Sequence, residues 1–332
     1  MKLSYYSPWF RIFRDCSRLI PKIISGSKPL LKFPVIIWML FWCATVTPPE
    51  TVEASSPGQR IISMAPSITE ILFELGLGDR VVGVTDFCTY PEAACKKTSI
   101  GGMVNPNVET WLSLKPDLII DLGKSGKILQ NAHKLGIPTL SAELGTLEDI
   151  FKTILNFGDS LDCKGAAGEL VRKLKNSIGY HQDRLKDIPK KSALIILGDS
   201  NDPTRDLYSV GRNTFLGEIL DLSGGENIIP VTMARYPKIS KEFIIEKSPE
   251  VIIEAGPKLR LSDQDLERKK LDWKRFATIS AVQKGNIHFI GADYILIPGP
   301  RLIKILSRFA RAIHPEVFTD TESDPIAGAI LP

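Results

Sequence analysis

Two glutamates hold matching positions in the two halves of this 332-residue chain. Six residues separate each of them, Glu109 and Glu242, from a proline, an acidic residue and an apolar triplet. Each also follows a candidate helix N-cap, Asn107 or Ser240, by two residues. An acidic side chain in the first turn stabilises a helix by about 0.3–1 kcal/mol. That local effect does not explain why the two halves match, so the pair is a candidate for a shared function.

Other signatures of catalysis or metal binding are weak in this sequence. There is no GxSxG motif, and no cysteine lies in a recognisable catalytic pattern. The glycine-rich LSGGEN at 222–227 lacks the lysine and the serine or threonine of a phosphate-binding loop. The histidines are never paired at i, i+2 or i+4, which argues against a zinc or manganese site; they are His133, His181, His288 and His314. We therefore expect a binding protein with no catalytic residues, no metal site and no intrinsic cofactor.

The first 54 residues differ in charge from the rest of the chain. They hold seven of the 42 basic and three of the 38 acidic residues, so the remainder is balanced and does not indicate nucleic-acid binding. The basic stretch precedes the apolar run FPVIIWMLFWCATV at 33–46, which is short for a membrane span and fits a secretory signal. A candidate cleavage site follows Ala54. We expect export to the periplasm, with an uncleaved inner-membrane anchor as the alternative.

Three cysteines follow the candidate cleavage site: Cys88, Cys95 and Cys163. Cys88 and Cys95 are close enough in sequence to form a disulfide, which would leave one thiol unpaired or intermolecular. Their spacing does not resemble a metal knuckle, so a structural role is the better interpretation.

The two halves of the chain repeat three elements in the same order. EILFELGLGDRVVGVT at 70–85 and EILDLSGGENIIPVT at 218–232 each read as a helix, a glycine turn and a β-rich segment. The glutamate units come next, and the strands in GIPTLSAE at 136–143 and GNIHFIGAD at 285–293 follow. This repeat predicts an α/β fold of two lobes, each with a mainly parallel central sheet and flanking helices.

A long amphipathic helix is predicted between the lobes, from Lys164 to Asp187, about 36 Å long. Such a helix would limit hinge closure to a few degrees. A further amphipathic helix is predicted in IPGPRLIKILSRFARAIHPE at 297–316. The expected organisation is an export segment at 1–54, lobes at 58–150 and 190–316, a linker with the bridging helix at 151–189, and a tail at 317–332.

The ligand is expected in the cleft between the lobes. In open α/β sheets a ligand lies beyond the carboxyl ends of the strands. The loops at those ends supply the candidate ligand-binding residues, which are Pro66, Ser67, Phe87, Met103, Leu122, Gly123, Asp199, Tyr236, Asp293 and Tyr294.

Several segments between residues 58 and 316 resemble one known family. They are RIISMAPSITEILFELGLGDRVVGVT, YPEA, NVE with KPDLII, GGENI, YPKISKE with SPEVII, and PGPRL with HPE. Together they resemble the class III substrate-binding proteins of ABC importers for cobalamin, ferric siderophores and haem. The similarity is greatest to the vitamin B12-binding periplasmic members.

The resemblance implies roles for specific residues. Glu109 and Glu242 match the family's two exposed glutamates, which dock onto arginines of the membrane permease. Phe87, Tyr236 and Asp293 match its corrin-contacting positions. Gly101 and Leu122 depart from the family, because its cobalamin binders usually carry tryptophan there, and their absence removes stacking surface.

The expected function is therefore capture of a corrinoid, cobalamin first, and its delivery by a monomeric protein to an ABC permease and its ATPase. A ferric siderophore or haem binder of the same fold is an alternative, with cations available from Lys124, Arg212, Arg235 and Arg301. From a different class, an exported tetrapyrrole metal chelatase would need convergent histidine and acidic ligands in the cleft.

Overall fold

The computed structural model describes residues 58–123, 126–198, 207–257 and 262–318, which lie in one unit, Ser56–Pro332. The predicted export segment, the candidate residue Asp199 and the candidate cation Lys124 fall outside the described residues. Among the helices that are described, none combines the length and the apolar character needed to cross a membrane.

The N-terminal lobe is a parallel sheet with flanking helices. In chain order it contains β1 (Ile61–Ser63), α1 (Pro66–Glu74), β2 (Val81–Val84), α2 (Glu92–Cys95), β3 (Thr98–Ser99), α3 (Val108–Leu114), β4 (Leu118–Asp121), α4 (Gly126–Lys134) and β5 (Thr139–Ser141). The strand order is β3-β2-β1-β4-β5, and every pairing is parallel. The two central strands are buried along their whole length, as expected for a sheet covered on both faces.

Two helices lead from the first lobe to the second. They are α5 (Leu147–Ser160) and α6 (Lys164–Leu185). Helix α5 begins with a reciprocal capping box between Thr146 and Asp149. Helix α6 confirms the predicted bridging helix to within two residues of its end, and its buried side includes Leu170, Leu174 and His181.

The C-terminal lobe has a mixed sheet. In chain order it contains β6 (Lys191–Leu197), β7 (Leu207–Ser209), α7 (Phe215–Leu222), β8 (Gly225–Asn227), β9 (Lys238–Ile239), α8 (Lys241–Lys247), β10 (Val251–Gly256), α9 (Asp263–Lys274), α10 (Ser280–Lys284), β11 (Ile287–Gly291) and α11 (Leu302–Ile313). The strand order of this sheet is β11-β10-β6-β7-β9, and β8 pairs in addition with β6.

The two sheets share a four-strand plan. The order β5-β4-β1-β2 in the first lobe corresponds to β11-β10-β6-β8 in the second, and all these pairings are parallel. The predicted repeat and the mainly parallel sheet in each lobe are therefore confirmed. The second lobe departs from the plan through two antiparallel pairings, of β7 with β6 and of β9 with β7. It also departs through the short β8, where we expected a longer β-rich segment.

The match extends to the hydrogen bonds that place α3 and α8. Each helix has seven residues and ends at a residue in the left-handed conformation, Lys115 at φ 46° and Ser248 at φ 40°, followed by a proline. The next acidic side chains, Asp117 and Glu250, accept backbone N–H bonds from residues in or just before the first strand of their lobes. Both helices are therefore held at both ends.

One hydrophobic core crosses both lobes. It includes Ile61 and Ile120 from the first sheet and Ile195 and Ile253 from the second, together with apolar residues of α5, α6, α7 and α11. Two smaller clusters cover the other faces of the sheets, one around Trp111 and one around Trp273. The lobes therefore share buried apolar surface as well as a connecting helix.

The predicted tail at 317–332 includes two described residues, 317 and 318, and its other residues lie outside the described ranges. Phe318 is buried and its ring stacks on His181 of α6, with 5.3 Å between the ring centroids. The Arg184 guanidinium lies 5.1 Å from the same ring. These contacts attach the first residues of the 317–332 segment to the bridging helix.

Candidate functional site

A buried arginine joins the two lobes at their boundary. Arg301, 3% exposed, donates from Nε and Nη2 to the carboxylate of Glu70 on α1, at 3.0 and 2.6 Å. Its Nη1 donates to Asp293 Oδ2 at 2.7 Å. The guanidinium also lies 4.1 Å from the ring centroid of Tyr90 and 4.9 Å from that of Tyr294. This cation is thus bonded on its edges and covered on its faces.

The carboxylates determine the charge state of this arginine. Burial alone lowers the pKa of Arg301, but the hydrogen bonds and negative charges of Glu70 and Asp293 outweigh that effect and raise it. Arg301 is therefore a permanent cation that is compensated within the protein. The expectation that it offers its charge to an anionic ligand is not supported by this geometry.

A second group of contacts crosses the boundary near Gly145. The Gly145 carbonyl accepts a bond from the Phe215 N–H at 2.9 Å, and the Leu147 N–H donates to Glu218 Oε2 at 2.6 Å. A side chain at Gly145 would meet the Arg235 guanidinium, with a Cβ only 2.6 Å from Nη1. Glycine at this position therefore allows Arg235 to approach the first lobe.

The two predicted aromatic contact residues are exposed, one from each lobe. Phe87 follows β2 and is 59% exposed, and Tyr236 precedes β9 and is 48% exposed. Each is close in sequence to a residue that makes a contact at the lobe boundary. Phe87 lies three residues before Tyr90, which packs on Arg301, and Tyr236 directly follows Arg235, which approaches Gly145. Partial burial of this half-exposed side chain raises the pKa of Tyr236 and the neighbouring Arg235 opposes the shift, so the phenol, like that of an ordinary tyrosine, is protonated at neutral pH.

The other predicted ligand-binding residues vary in accessibility. Pro66, at the start of α1, is half-buried, and Gly123 is exposed with φ +66°. Met103 and Leu122 are half-buried and pack against the main core. The Asp293 side chain is 33% exposed and already bonded to Arg301.

Ser67 and Tyr294 are the most buried of the predicted ligand-binding residues that the structure describes. Ser67 is 4% exposed within α1. Tyr294 is 9% exposed, and the guanidinium groups of Arg301 and Arg308 lie against its ring at 4.9 and 5.5 Å. In this structure neither side chain is open to a ligand, because each is enclosed by the elements that form the lobe boundary.

The predicted disulfide between Cys88 and Cys95 is not formed. Both are free cysteines, and Cys88 is buried, with its Sγ 3.2 Å from the hydroxyl oxygens of Thr69 and Thr85. Cys95 is exposed and its Sγ contacts the Thr89 carbonyl at 3.3 Å. Burial under α1 thus separates Cys88 from a partner that was close only in sequence.

The two matching glutamates are exposed at the starts of α3 and α8. The Asn107 side chain accepts from the N–H groups of Glu109 and Thr110, and Ser240 accepts from that of Phe243. The pKa of Glu242 is lowered, first by a bond from its own backbone N–H and then by Ser240. Both carboxylates are therefore available to an external partner.

Glu70, Tyr90 and Glu218 are boundary residues that the sequence analysis did not single out. The sequence repeat could have identified the two glutamates. Glu70 and Glu218 are the first residues of EILFELG and EILDLSG and therefore hold equivalent positions in the two halves. Both cross the boundary in the structure, one to Arg301 and the other to the Leu147 N–H. Among the described residues, no group of three or more histidine, cysteine or acidic side chains could hold a metal ion.

Comparisons with known proteins agree with this architecture. Residues 61–294 match the family described as periplasmic binding protein. The chain is 30% identical over 278 residues to YvrC of Bacillus subtilis, named as an uncharacterized ABC transporter substrate-binding lipoprotein, with 82% of this chain and 85% of that protein covered.

Two further similarities concern named ligands. A vitamin B12-binding protein of Vibrio cholerae is 29% identical over 266 residues, covering 77% of this chain and 89% of that protein. A solved structure from Staphylococcus epidermidis, described as a possible iron-binding periplasmic solute-binding protein, has a TM-score of 0.67 and 27% identity, with 77% of this chain and 98% of that chain covered. The family match covers more than half of the chain, and the two-lobed fold agrees with it. The chain belongs to the periplasmic binding protein family.

Proposed function

We propose that this protein captures a corrinoid, cobalamin in the first place, at the boundary of its lobes and delivers it to the permease of an ABC importer. The observation that carries the proposal is the pair of exposed aromatic rings, Phe87 and Tyr236, one from each lobe. A flat, largely apolar macrocycle offers a surface for both rings, and the protonated phenol adds a hydrogen-bond donor.

The state of the cations also favours a ligand that carries little net charge. Arg301 is neutralised by Glu70 and Asp293. Arg212 donates to the backbone carbonyls of Asn227 and Ile229, so it has a structural role in the second lobe. Two of the four cations considered for an anionic ligand are therefore already engaged.

A ferric siderophore or haem is the second candidate. It is favoured by Arg235, an exposed cation beside Tyr236 at the lobe boundary, and by the likeness to the protein described as possibly iron-binding. A titration that compares ligand classes separates the two candidates.

The proposed site of action is outside the cytoplasm, because the relatives are named as a vitamin B12-binding protein and a substrate-binding lipoprotein of an ABC transporter. The basic and apolar segment at 1–54 would direct export, either as a cleaved signal or as an anchor. We propose that the protein acts as a monomer without turnover. Catalytic metallation of a tetrapyrrole by the purified protein would contradict this and support the chelatase alternative.

Isothermal titration of the full-length protein tests the ligand. Cyanocobalamin and dicyanocobinamide should bind, whereas haem and ferric siderophores should bind more weakly. Phe87→Ala and Tyr236→Ala should each weaken corrinoid binding by about tenfold or more, because each removes a large apolar contact. Leu271→Ala, at an exposed position on α9, is the control. Failure of both corrinoids to bind would contradict the proposed ligand.

An uptake assay tests delivery. Cells that express Glu109→Ala with Glu242→Ala should lose uptake of labelled cyanocobalamin, while the purified variant keeps nearly unchanged affinity. The matched control is Glu92→Ala with Glu267→Ala, two glutamates whose side chains are 87% and 65% exposed. A parallel loss of ligand affinity would place Glu109 and Glu242 in the ligand site instead.

A further inference from the structure

An exposed aliphatic residue accompanies each of the two glutamates. Leu112 on α3 is 55% exposed, and Ile245 on α8 is 41% exposed. Each comes three residues after its glutamate, Glu109 or Glu242. Residues three apart lie on the same face of a helix, with their Cβ atoms about 5–6 Å apart. Both helices therefore present a carboxylate and an aliphatic side chain side by side.

The packing of the two helices holds these aliphatic residues outward. Trp111 directly precedes Leu112 and is 0% exposed, and Ile244 directly precedes Ile245 and is 1% exposed. These anchors belong to the separate core clusters of their own lobes. Because each helix is also capped at its start and ends in the left-handed conformation, its rotation is fixed by contacts that do not involve the side chains of Leu112 and Ile245.

Single exposed aliphatic residues are common on protein surfaces and usually need no explanation. Within the described ranges, Leu155 on α5 and Leu271 on α9 are similarly exposed, at 44% and 58%. In the order of elements α4 corresponds to α9 and α11 to α5, but neither α4 nor α11 carries an exposed large apolar residue. Leu112 and Ile245, in contrast, hold the same position in the four-strand plan that the lobes share.

We propose that each lobe docks through a carboxylate–aliphatic pair, Glu109 with Leu112 and Glu242 with Ile245, onto a permease with two equivalent halves. Each half would offer a cation beside an apolar pocket. The inference rests on the proposed function and adds to it, because the glutamates alone require only charge. Aliphatic side chains next to an ion pair exclude water from it, which strengthens the contact and makes it less sensitive to salt.

Binding to membranes tests the inference without any knowledge of the ligand. Right-side-out vesicles are prepared from source cells that lack this protein, and saturable binding of the fluorescently labelled full-length protein is measured. Leu112→Ser with Ile245→Ser should weaken this binding by about tenfold or more. Leu155→Ser with Leu271→Ser introduces the same chemistry at unmatched positions and should leave it unchanged. Thermal unfolding confirms that each variant is folded.

Glu109→Gln with Glu242→Gln separates the inference from the proposed function. If the glutamine variant loses binding while Leu112→Ser with Ile245→Ser retains it, docking occurs but the aliphatic residues take no part, and the inference is wrong. If the unchanged protein shows no saturable binding, delivery to a permease is itself contradicted. Equal weakening by the matched and unmatched serine pairs would also overturn the inference.

Discussion

At the scale of single residues, the buried ion pair of Arg301 and Glu70 gives a prediction about the stability of the protein. Glu70 is 2% exposed, so Arg301→Ala would leave a buried carboxylate without a counter-ion. Removing one member of a buried pair costs about 3–5 kcal/mol, and we expect a decrease of that size in the free energy of unfolding. Urea denaturation followed by far-UV circular dichroism measures the decrease.

Arg172 provides the matched control. It pairs with Glu169 on α6 at 2.7 Å, but the two side chains are 60% and 45% exposed. Arg172→Ala should therefore cost no more than about 1 kcal/mol. Similar losses for Arg301→Ala and Arg172→Ala would show that the boundary pair contributes little to the stability of the folded state.

Glu74, at the end of α1, gives a pH-dependent prediction. Its pKa is raised from 4.5 to about 7, chiefly by burial, while Lys173 and Lys304 oppose the shift and Glu70 adds to it. Between these two values the folded protein retains a proton that the unfolded chain has already lost, so stability falls as the pH rises through this window. Because the group is only half-buried, solvent screening reduces the expected fall to about 1–2 kcal/mol.

Glu74→Gln should remove this fall. The free energy of unfolding is measured at pH 5 and pH 8 for the unchanged protein, for Glu74→Gln and for Glu92→Gln, whose side chain is 87% exposed. From pH 5 to pH 8 the free energy of unfolding of the unchanged protein and of Glu92→Gln should decrease by about 1–2 kcal/mol more than that of Glu74→Gln. The same pH dependence in all three proteins would contradict the assignment.

At the scale of secondary structure, two helical glycines should respond in opposite ways to alanine. A Cβ at Gly168 of α6 meets nothing within 4 Å, so Gly168→Ala should stabilise the protein by about 0.5–1 kcal/mol. A Cβ at Gly217 of α7 would collide with the backbone carbonyl oxygens of Gly211 and Arg212. Gly217→Ala should therefore destabilise it by about 1–3 kcal/mol. Thermal unfolding measures whether each substitution raises or lowers the stability. A rise in stability for Gly217→Ala would contradict the close approach of the Gly211 and Arg212 carbonyl groups to this helix.

These glycines show what the sequence could and could not predict. Both lie in amphipathic helical patterns, and helix periodicity, caps and the order of repeated elements are local features that correctly predicted α3, α6, α8 and the two lobes. The collision at Gly217 depends on a loop that folds back onto the helix. The Arg301–Glu70 pair joins residues 231 positions apart, and no local pattern encodes that contact. The disulfide prediction failed for the same reason, since sequence proximity did not show that Cys88 is buried under α1.

At the scale of the whole molecule, the shared core determines how the lobes can move. The main apolar cluster includes residues of both sheets and of the bridging helix α6. The Arg301–Glu70 pair and the bond from the Leu147 N–H to Glu218 add polar contacts across the same boundary. A large opening would expose this apolar surface and break these bonds, which supports the prediction that the lobes only rock by a few degrees.

The same core predicts that both lobes unfold together. Trp111 lies in the first lobe and Trp273 in the second, and both are almost fully buried. In Trp111→Phe the remaining buried tryptophan reports on the second lobe, and in Trp273→Phe it reports on the first. Tryptophan emission and far-UV circular dichroism should give coincident urea transitions within each variant, because unfolding of one lobe would strip the shared core from the other.

Comparing two probes within one variant removes the effect of each substitution on overall stability. The other three of the chain's five tryptophans lie in the first 54 residues and contribute the same background to both variants. An emission transition that separates from the circular dichroism transition in either variant would show that this lobe unfolds independently. The lobes could then also move independently on binding. Coincident transitions in both variants would instead mean that the ligand meets a largely preformed boundary, in which Phe87 and Tyr236 already project from opposite lobes.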